Sequence, residues 1–436
     1  MNPYPYQLQG IQFLQDRHAA LLADAPRLGK TCMVLNAALQ VSKKAPVLVC
    51  GPAIARGTWE RECATWRPDL RVRRIEHRGE FRFPRAGELV VSSYELTPAS
   101  FCDQDIEPGT ILVGDEIQRC SYITAGRTQK MEQLCFATRR RGGRVWLLSA
   151  TPIENNPIQM WNVIGLLSSQ QLCFGSYSGF LESFQGRPGG RGIVWGLPLP
   201  CVPEQLARVM LRRTRAEVSP QLQRNTVQII PVPLSSDATR LSDASLRAIA
   251  KRGLTLSEAS RLANTHAYAT RPAWISTISR TKSAIAVSKL PYALQLIENY
   301  EAAGEPFVVF SASRGVVDAI GKRPGWGTIT GDSSPRRRED VQQQFREGRI
   351  LGVAATIQAG GTAIDLSTAC ALLFVDLTWD PGSVQQAAER IQGPRQSRPT
   401  TTMFLQSYHP LEAHLWDLAA VKAEIIRLAM RRSSVA

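Results

Sequence analysis

Short runs of β-branched and aliphatic residues alternate with stretches of helical periodicity along most of the chain. Each run is mostly apolar, and small or polar residues follow it directly. Continuous apolar runs of this length are typical of parallel strands that helices bury on both faces. The predicted strands are 46–50, 88–91, 111–113 and 145–148 in the first part of the chain and 307–310, 327–330, 350–355, 371–375 and 401–405 in the last part.

The set of predicted strands occurs twice, which indicates two doubly wound α/β lobes with parallel sheets. Between them, over about 157–290, the strand rhythm is lost, and residues 241–262 have helical spacing. In doubly wound sheets, ligands lie beyond the carboxyl ends of the strands, and the candidate chemistry below follows strands in almost every case. The expected division is a first lobe at 1–232 with a helical insertion at about 157–210, a helical insertion and linker at 233–289, and a second lobe at 290–436.

The net charge of the chain indicates what kind of partner it binds. The 436 residues contain 52 Lys and Arg against 37 Asp and Glu, a formal net charge of +15. Such an excess favours nucleic acid before membrane, because neutralising phosphates releases condensed counterions. A generally basic, solvated surface is the alternative reading.

Several other classes are disfavoured. No apolar run approaches the roughly 20 residues of a membrane-spanning helix, and MNPYPYQLQG does not resemble a secretory signal. The nine cysteines form no C-x-x-C pair and the five histidines have no ligand spacing, which argues against disulfides and zinc. We expect a cytoplasmic protein with no membrane partner, in a bacterial or phage setting rather than a nuclear one.

The segment LLADAPRLGKT joins an apolar run to a helical pattern and ends in Gly29, Lys30 and Thr31. Backbone amides at a helix start bind phosphate, a lysine there reaches the β- and γ-phosphates, and a hydroxyl ligates magnesium. The strict P-loop pattern fails at its first glycine, which is Asp24. Taken alone, this segment leaves a nucleotide site and an ordinary loop equally open.

Two adjacent carboxylates, Asp115 and Glu116, follow the predicted strand 111–113. In a nucleotidase, the first would hold magnesium through water and the second would polarise the attacking water. An isolated pair would be read as a solvated acidic turn, but a P-loop on a neighbouring strand favours catalysis. The segment LLSATP, at 147–152, places small hydroxyl residues at a further strand end, where they could link the phosphate site to the second lobe.

The order of these motifs resembles that of the Swi/Snf-type superfamily 2 helicase motors, which are double-stranded DNA translocases. The resemblance covers nearly the whole chain. In the first part it rests on PYQLQGIQFL, DAPRLGKT, VLVCGPAIARGTWERE, VVSSYE, GDEIQ, LLSATPIENNPIQMW and, most specifically, MLRRTRAEV. In the last part it rests on PFVVFSASRGVVDAI, ITGDSSPRRREDVQQQF, TIQAGGTAIDLS and DLTWDPGSVQQAAERIQGPRQ. AVSKLPYALQLIENY and HLWDLAAVKAEI are most similar to the compact annealing-helicase, fork-remodelling branch.

The resemblance implies two RecA-like lobes with ATP and Mg²⁺ bound between them. Thr31 and Asp115 would hold the metal, partly through water, and Lys30, Asp115, Glu116 and Arg390 would act in hydrolysis, with Arg395 as a second arginine. The nucleotide would contact Tyr6, Gln7, Leu28, Gly29, Lys30, Thr31, Cys32, Gly361 and Asp365.

The chain departs from the family pattern at several of these motifs. Arg27 replaces a glycine before L-G-K-T, and Gln118 replaces the histidine that closes D-E-x-H, which would alter the connection to LLSATP. Gln358 and Ala363 replace an arginine and a glycine. The second arginine expected after Arg390 falls on Gly393; we expect Arg395 to substitute, because Gly393-Pro394 can bend the backbone, while a DNA or surface role for Arg395 is the alternative.

DNA contacts are expected from both lobes. Arg336, Arg337 and Arg338 follow an N-cap Ser and a first-turn Pro, where positive charge opposes the helix dipole, so phosphate binding or a solvated charged face would explain them. Trp379 is either a brace against the duplex or a core residue. Arg212, Arg213 and Arg215 either face DNA or brace the lobes, and we favour bracing. The remaining candidates are Arg56, Thr58, Ser93, Tyr94, Ser313, Thr356 and Gln358.

The leading functional hypothesis is an ATP-dependent translocase that remodels or anneals double-stranded or forked DNA. It would act as a monomer, with single-stranded DNA and replication or repair proteins as further partners to test. A strand-separating helicase on DNA or RNA is the second enzymatic reading. A DNA-binding scaffold with an impaired ATPase is the alternative from another class, because Arg27, Gln118 and Gly393 depart from the pattern while Lys30, Thr31, Asp115 and Glu116 are intact.

Overall fold

The computed structural model describes most of the chain. The described residues are 2–189, 192–218, 225–254, 256, 273–360, 364–378, 380–392, 396 and 398–431. Two compact units emerge, the first formed by Met1–Gln221 with Glu424–Ala436 and the second by Leu222–Ala423. No helix among the described residues has the length and apolar character required to cross a membrane.

The first unit contains a seven-stranded parallel sheet with the order β3-β4-β2-β5-β6-β1-β9. A separate antiparallel hairpin is formed by β7 and β8. The strands are β1 (Ala19–Leu22), β2 (Val47–Gly51), β3 (Arg71–Arg74), β4 (Glu88–Ser93), β5 (Ile111–Asp115), β6 (Arg144–Leu148), β7 (Arg187–Gly189), β8 (Gly192–Val194) and β9 (Met210–Leu211). The helices are α1 (Pro5–Gln15), α2 (Lys30–Val41), α3 (Ala55–Trp66), α4 (Gly126–Arg140), α5 (Ile158–Leu166), α6 (Gln170–Phe174), α7 (Tyr177–Ser183), α8 (Val202–Ala207) and α9 (Arg215–Val218).

The second unit contains a six-stranded parallel sheet with the order β10-β15-β14-β11-β13-β12. Its strands are β10 (Asn225–Pro231), β11 (Phe307–Ser311), β12 (Trp326–Ile329), β13 (Gly352–Thr356), β14 (Ala371–Phe374) and β15 (Thr400–Gln406). Its helices are α10 (Ser236–Ala250), α11 (Ala273–Ser288), α12 (Leu290–Ala302), α13 (Arg314–Ile320), α14 (Pro335–Arg346), α15 (Ile357–Gly360) and α16 (Pro381–Ala388). Helix α17 (Pro410–Ala429) begins here, and its last residues belong to the first unit.

The continuous apolar strands are buried on both faces, as their sequence predicts. In the first sheet, successive residues of one strand enter different apolar clusters: Leu112 packs in one, while Ile111 and Val113 pack in the other. Strands β2, β4 and β6 alternate in the same way. Because side chains of a strand point alternately to opposite faces, each cluster fills the space between the sheet and one layer of helices. The doubly wound α/β class is therefore confirmed for both lobes.

One strand lies outside the expected lobe. Residues 225–231 were expected at the end of the first lobe, within 1–232, but β10 pairs in parallel with β15 over its whole length, from Asn225 opposite Thr400 to Pro231 opposite Gln406. The pattern NTVQIIP favours a strand, but it does not indicate which sheet the strand joins, because the partner strand β15 lies far along the chain. The helical spacing expected at 241–262 corresponds in its first part to α10, which extends to Ala250, while residues 255 and 257–262 of that span lie outside the described residues.

Candidate functional site

The loop between β1 and α2 has the form of a phosphate-binding loop. Gly29 has a φ of 82° and caps the 12-residue helix that begins at Lys30. The positive φ favours glycine at this position, and a Cβ there would lie 2.3 Å from the Gln7 side-chain nitrogen and displace it. Arg27, the departure from the family's glycine, also has a positive φ, 64°. Backbone amides at the start of a helix are suited to binding an anion.

Helix α1 holds this loop through Gln7. The buried Gln7 amide donates a hydrogen bond to the Leu28 carbonyl at 3.1 Å, and its oxygen accepts one from the Tyr4 backbone at 2.9 Å. The Cys32 sulfur lies 4.0 Å from the same oxygen, and burial raises the pKa of the Cys32 thiol to about 12. Four predicted nucleotide contacts, at residues 7, 28, 29 and 32, therefore meet in one cluster.

Lys30 is directed toward the loop itself. Its ammonium donates to the Asp24 carbonyl at 2.8 Å and to the Ala25 carbonyl at 3.4 Å. Thr31 follows it in the first turn of α2 and is half-buried. Tyr6 is half-buried in α1, with the Arg213 guanidinium 5.6 Å from its ring centroid.

Three arginines that follow the short strand β9 hold the loop between β1 and α2 in place. The Arg213 guanidinium forms an ion pair with Asp24 in which both side chains are almost fully buried, at 1% and 0% exposure, and it also donates to the Tyr6 carbonyl. Arg212 donates to the Ala23 and Ala150 carbonyls at 2.9 Å each, and Arg215 donates to the Pro26 carbonyl. These contacts favour bracing, within the first lobe, over DNA contact. They also explain Asp24, where the strict pattern has glycine.

Asp115 ends β5 with both carboxylate oxygens oriented. Oδ2 accepts a hydrogen bond from the Trp59 indole at 2.8 Å, and Oδ1 accepts one from the Glu116 backbone at 3.0 Å. Burial, followed by the Glu116 charge, raises the pKa of Asp115 to about 6, whereas the Trp59 hydrogen bond and the Lys30 charge oppose the rise. Because β1 and β5 both pair in parallel with β6, the phosphate loop and this carboxylate follow strand ends at the same edge of the sheet.

A hydrogen-bonded chain runs from Glu116 to the segment after β6. The Gln118 amide donates to Glu116 Oε2 at 2.7 Å, and its oxygen accepts from the Ser149 hydroxyl at 2.6 Å. Ser149 Oγ in turn accepts from the Thr151 backbone at 3.0 Å. Gln118 thus connects GDEIQ to LLSATP with one donor and one acceptor, so this departure from the family's histidine keeps a physical link between the two motifs.

The donor set fits a nucleotide-bound magnesium ion. Magnesium in such sites is held by one or two carboxylates together with substrate phosphates and water, and Asp115 with Thr31 supplies donors of that kind. Within the described part of the chain, no group of three or more His, Cys, Asp or Glu side chains forms an independent metal site. Magnesium would neutralise phosphate charge during hydrolysis.

The predicted DNA contacts of the first lobe are mostly buried. Arg56 donates to the Ala53 carbonyl at 3.0 Å and pairs with Glu76 at 3.2 Å. Ser93 is buried, and the buried Tyr94 donates its hydroxyl to the Asp115 carbonyl at 2.6 Å. Thr58 is half-buried on α3, where its hydroxyl accepts from Arg61. Of these four predicted contacts, only the Thr58 side chain is partly exposed.

The arginines of α14 are placed as the sequence predicts. Ser334 caps the helix by accepting from the Arg337 backbone at 3.2 Å, and Arg336 and Arg337 are exposed in its first turn. Arg338 differs, because its half-buried guanidinium donates to the carbonyls of Thr330, Gly331 and Ser333.

The other second-lobe candidates lie near strand ends. Ser313 is buried at the start of α13, and its backbone donates to Ser311 Oγ at 3.0 Å. Ser311 donates to the buried carboxylate of Asp376, whose pKa is raised by burial. Thr356 ends β13, and Gln358 is exposed in α15.

Two nucleotide-site candidates of the second lobe are described. Arg390 is buried in a short helical turn, and its carbonyl accepts from the Leu366 backbone. Asp365 is half-buried and accepts from the backbone and hydroxyl of Ser367. Gly361, Trp379 and Arg395, as well as Ala363 and Gly393, lie outside the described residues.

Sequence reasoning missed two features of the site, the Trp59 bond to Asp115 and the Arg213 pairing with Asp24. It anticipated a connection between Gln118 and LLSATP, but not that Ser149 is the partner. Each residue stands inside a motif that was recognised, but its partner belongs to a different motif. The only sign of these contacts in the sequence was that each pair includes a polar group near the end of a strand. Which polar group it meets depends on strand order.

Comparison with known proteins extends these findings. Residues 6–272 match the SNF2-related domain, and residues 288–392 match the helicase conserved C-terminal domain. The chain is 25% identical over 446 residues to the SWI/SNF-related matrix-associated actin-dependent regulator of chromatin subfamily A-like protein 1 of Xenopus tropicalis, covering 98% of this chain and 44% of that protein. It is 24% identical over 446 residues to the human DNA annealing helicase and endonuclease ZRANB3, covering 97% of this chain and 40% of the relative.

Among solved structures, the Sulfolobus solfataricus SWI2/SNF2 ATPase core in complex with dsDNA aligns with a TM-score of 0.43 and 19% identity, over 96% of this chain and 91% of the other. The chain spans less than half the length of the curated relatives described above. The SNF2-related domain alone accounts for more than half of the chain, and with it the phosphate loop, the paired carboxylates and the bracing arginines. The chain therefore belongs to the SNF2-related family.

Proposed function

We propose that this protein is an ATP-dependent translocase that acts on double-stranded or branched DNA and remodels or anneals it. The observation that carries the proposal is the arrangement at one edge of the first sheet. There Lys30 begins α2 after β1, Asp115 ends β5, and Glu116 follows it directly. Because β1 and β5 both pair in parallel with β6, their carboxyl ends lie at the same edge of the sheet. This is the residue set needed to bind a nucleoside triphosphate with magnesium and to activate water.

The individual roles follow from the contacts. The amides at the start of α2 and Lys30 bind phosphate, Thr31 and Asp115 hold magnesium, and Glu116 orients the attacking water. Gln118 carries the position of Glu116 to Ser149, so a change at LLSATP reaches the catalytic carboxylate through two hydrogen bonds. Arg390 remains the proposed arginine from the second lobe.

DNA as the partner is supported by charge and by relatives. The net charge of +15 favours a polyanion, and Arg336 and Arg337 present two exposed cations in the first turn of α14. The human relative is named as a DNA annealing helicase. Contacts of this kind bind phosphate without reading sequence.

The test is ATP turnover by the purified protein, alone and with single-stranded, duplex and forked DNA. Lys30→Ala should abolish turnover, while Lys44→Ala, which alters an exposed lysine beyond the same helix, should leave it unchanged. Stimulation by duplex or forked DNA supports the translocase, and a preference for forks supports the remodelling branch.

Two other results would redirect the assignment. Stimulation by single strands alone would favour a strand-separating helicase. Absence of turnover together with tight, salt-sensitive DNA binding would favour a scaffold with an impaired ATPase, which the departures at Arg27 and Gln118 would then explain.

A further inference from the structure

Asp115 is held by two aromatic side chains that come from two other elements of the first lobe. Trp59, on α3, donates its indole N–H to the carboxylate oxygen Oδ2 at 2.8 Å. Tyr94, directly after β4, donates its hydroxyl to the Asp115 backbone carbonyl at 2.6 Å. The first bond sets the orientation of the carboxylate, and the second sets the position of the backbone that carries it.

The surroundings leave Asp115 little freedom to rearrange. Trp59 is fully buried and Tyr94 almost so, and the surrounding side chains hold both donors in place. On the neighbouring strand, a Cβ at Gly51 would lie 3.1 Å from the Asp115 Cβ, so the chain passes close to the carboxylate there. An ionised carboxylate has about four acceptor positions. The bonds from Trp59 and from the Glu116 backbone use one on each oxygen, which leaves one on each for a cation or its water.

We propose that Trp59 and Tyr94 are positioning residues for the magnesium-binding carboxylate, Trp59 acting on its side chain and Tyr94 on its backbone. The proposal rests on the proposed function only in taking Asp115 as the magnesium ligand. Groups that hydrogen-bond to a metal ligand orient it, and their loss typically weakens metal affinity or activity about 10–100-fold.

Trp59 stands beside a predicted DNA contact, and Tyr94 is itself one of the predicted contacts. Trp59 follows Thr58 on α3, and Tyr94 follows Ser93 at the end of β4. A shift of either segment would therefore reach Asp115 through a single hydrogen bond, which gives DNA binding a short route to the metal site.

The test is Trp59→Phe, which removes the N–H donor and keeps an aromatic ring. The readouts are Mn²⁺ binding in the presence of ADP, followed by electron paramagnetic resonance, and the Mg²⁺ concentration for half-maximal ATP turnover. We expect both constants to rise about 10–100-fold, with kcat largely recovered at saturating Mg²⁺ because Glu116 and Lys30 are unchanged. Trp66→Phe is the matched control on the same helix, since its indole donates to Glu62 instead.

Tyr94→Phe is the second variant, and it tests the positioning of Asp115 if Trp59→Phe does not fold. It removes one hydroxyl, and we expect a smaller weakening of Mn²⁺ affinity in the same direction. Mn²⁺ affinity within twofold of the wild type in every variant that folds would overturn the proposal, and so would an equal loss in Trp66→Phe.

Failure of this inference is distinguishable from failure of the proposed function. Wild-type turnover on DNA together with Mn²⁺ affinity that does not depend on Trp59 would refute only the positioning role. Mn²⁺ binding that depends on Trp59 in a protein that hydrolyses no ATP on any DNA would refute only the motor.

Discussion

Removal of the Asp24 carboxylate should destabilise the first lobe strongly. Asp24→Ala leaves the Arg213 guanidinium in a site where the two side chains are 0% and 1% exposed. Breaking a buried pair by deleting one partner costs about 3–5 kcal/mol, because the remaining charge stays desolvated. For a unit of this size each kcal/mol corresponds to roughly 2–4 °C in Tm, so we expect the first-lobe transition to fall by about 6–20 °C.

The assay is differential scanning calorimetry of the variant and of two comparison proteins. Arg85→Ala breaks an exposed ion pair of the same lobe, with Glu107 at 2.8 Å and Arg85 64% exposed, and should cost under about 1 kcal/mol. The double variant Asp24→Ala/Arg213→Met removes both charges and should recover much of the lost stability.

Two outcomes would refute this reasoning about the buried pair. One is a fall in Tm for Asp24→Ala no larger than that for Arg85→Ala. The other is a double variant less stable than Asp24→Ala, because that would mean that Arg213 stabilises the loop without its carboxylate partner.

Three further predictions concern other contacts. Gln118→Leu removes the hydrogen bonds to Glu116 and Ser149, so it should lower DNA-stimulated kcat while ATP binding is kept. Gln118→His should restore turnover. Steady-state kinetics measure kcat, and titration with a fluorescent nucleotide measures binding. Ser334→Ala should cost about 1 kcal/mol by loss of the α14 N-cap, measured as local amide exchange. Burial lowers the pKa of Lys282 to about 8 against the opposing charges of Asp376 and Glu412, while the unfolded chain keeps the proton to about 10.5. The stability of the wild-type protein should therefore increase as the pH rises from 8 to 10.5, because Lys282 loses its proton in the folded state first. Over that range the Tm of Lys282→Met should fall relative to that of the wild type. A difference in Tm that does not change with pH would refute this prediction.

The sequence was sufficient for nine of the strands and for the identity of the chemical groups, whereas six strands, among them β3, β9 and β10, were not predicted. The apolar runs of both sheets, the start of α2 after Gly29 and the N-cap at Ser334 are local properties, because a strand, a helix start and a cap depend on residues a few positions apart. For the same reason Lys30, Thr31, Asp115 and Glu116 could be picked out by their positions after predicted strands.

Only the tertiary structure decided which of these groups meet. Trp59 and Asp115 are 56 positions apart, and Arg213 and Asp24 are 189 apart. Their contacts exist because β2 lies beside β5 and β9 lies beside β1 in the sheet order. The assignment of β10 to the second sheet and the burial of Arg56 and Tyr94, both expected on a DNA-binding surface, have the same origin. A local pattern determines the conformation of a segment, whereas its neighbours are determined by how the whole sheet buries its apolar surface.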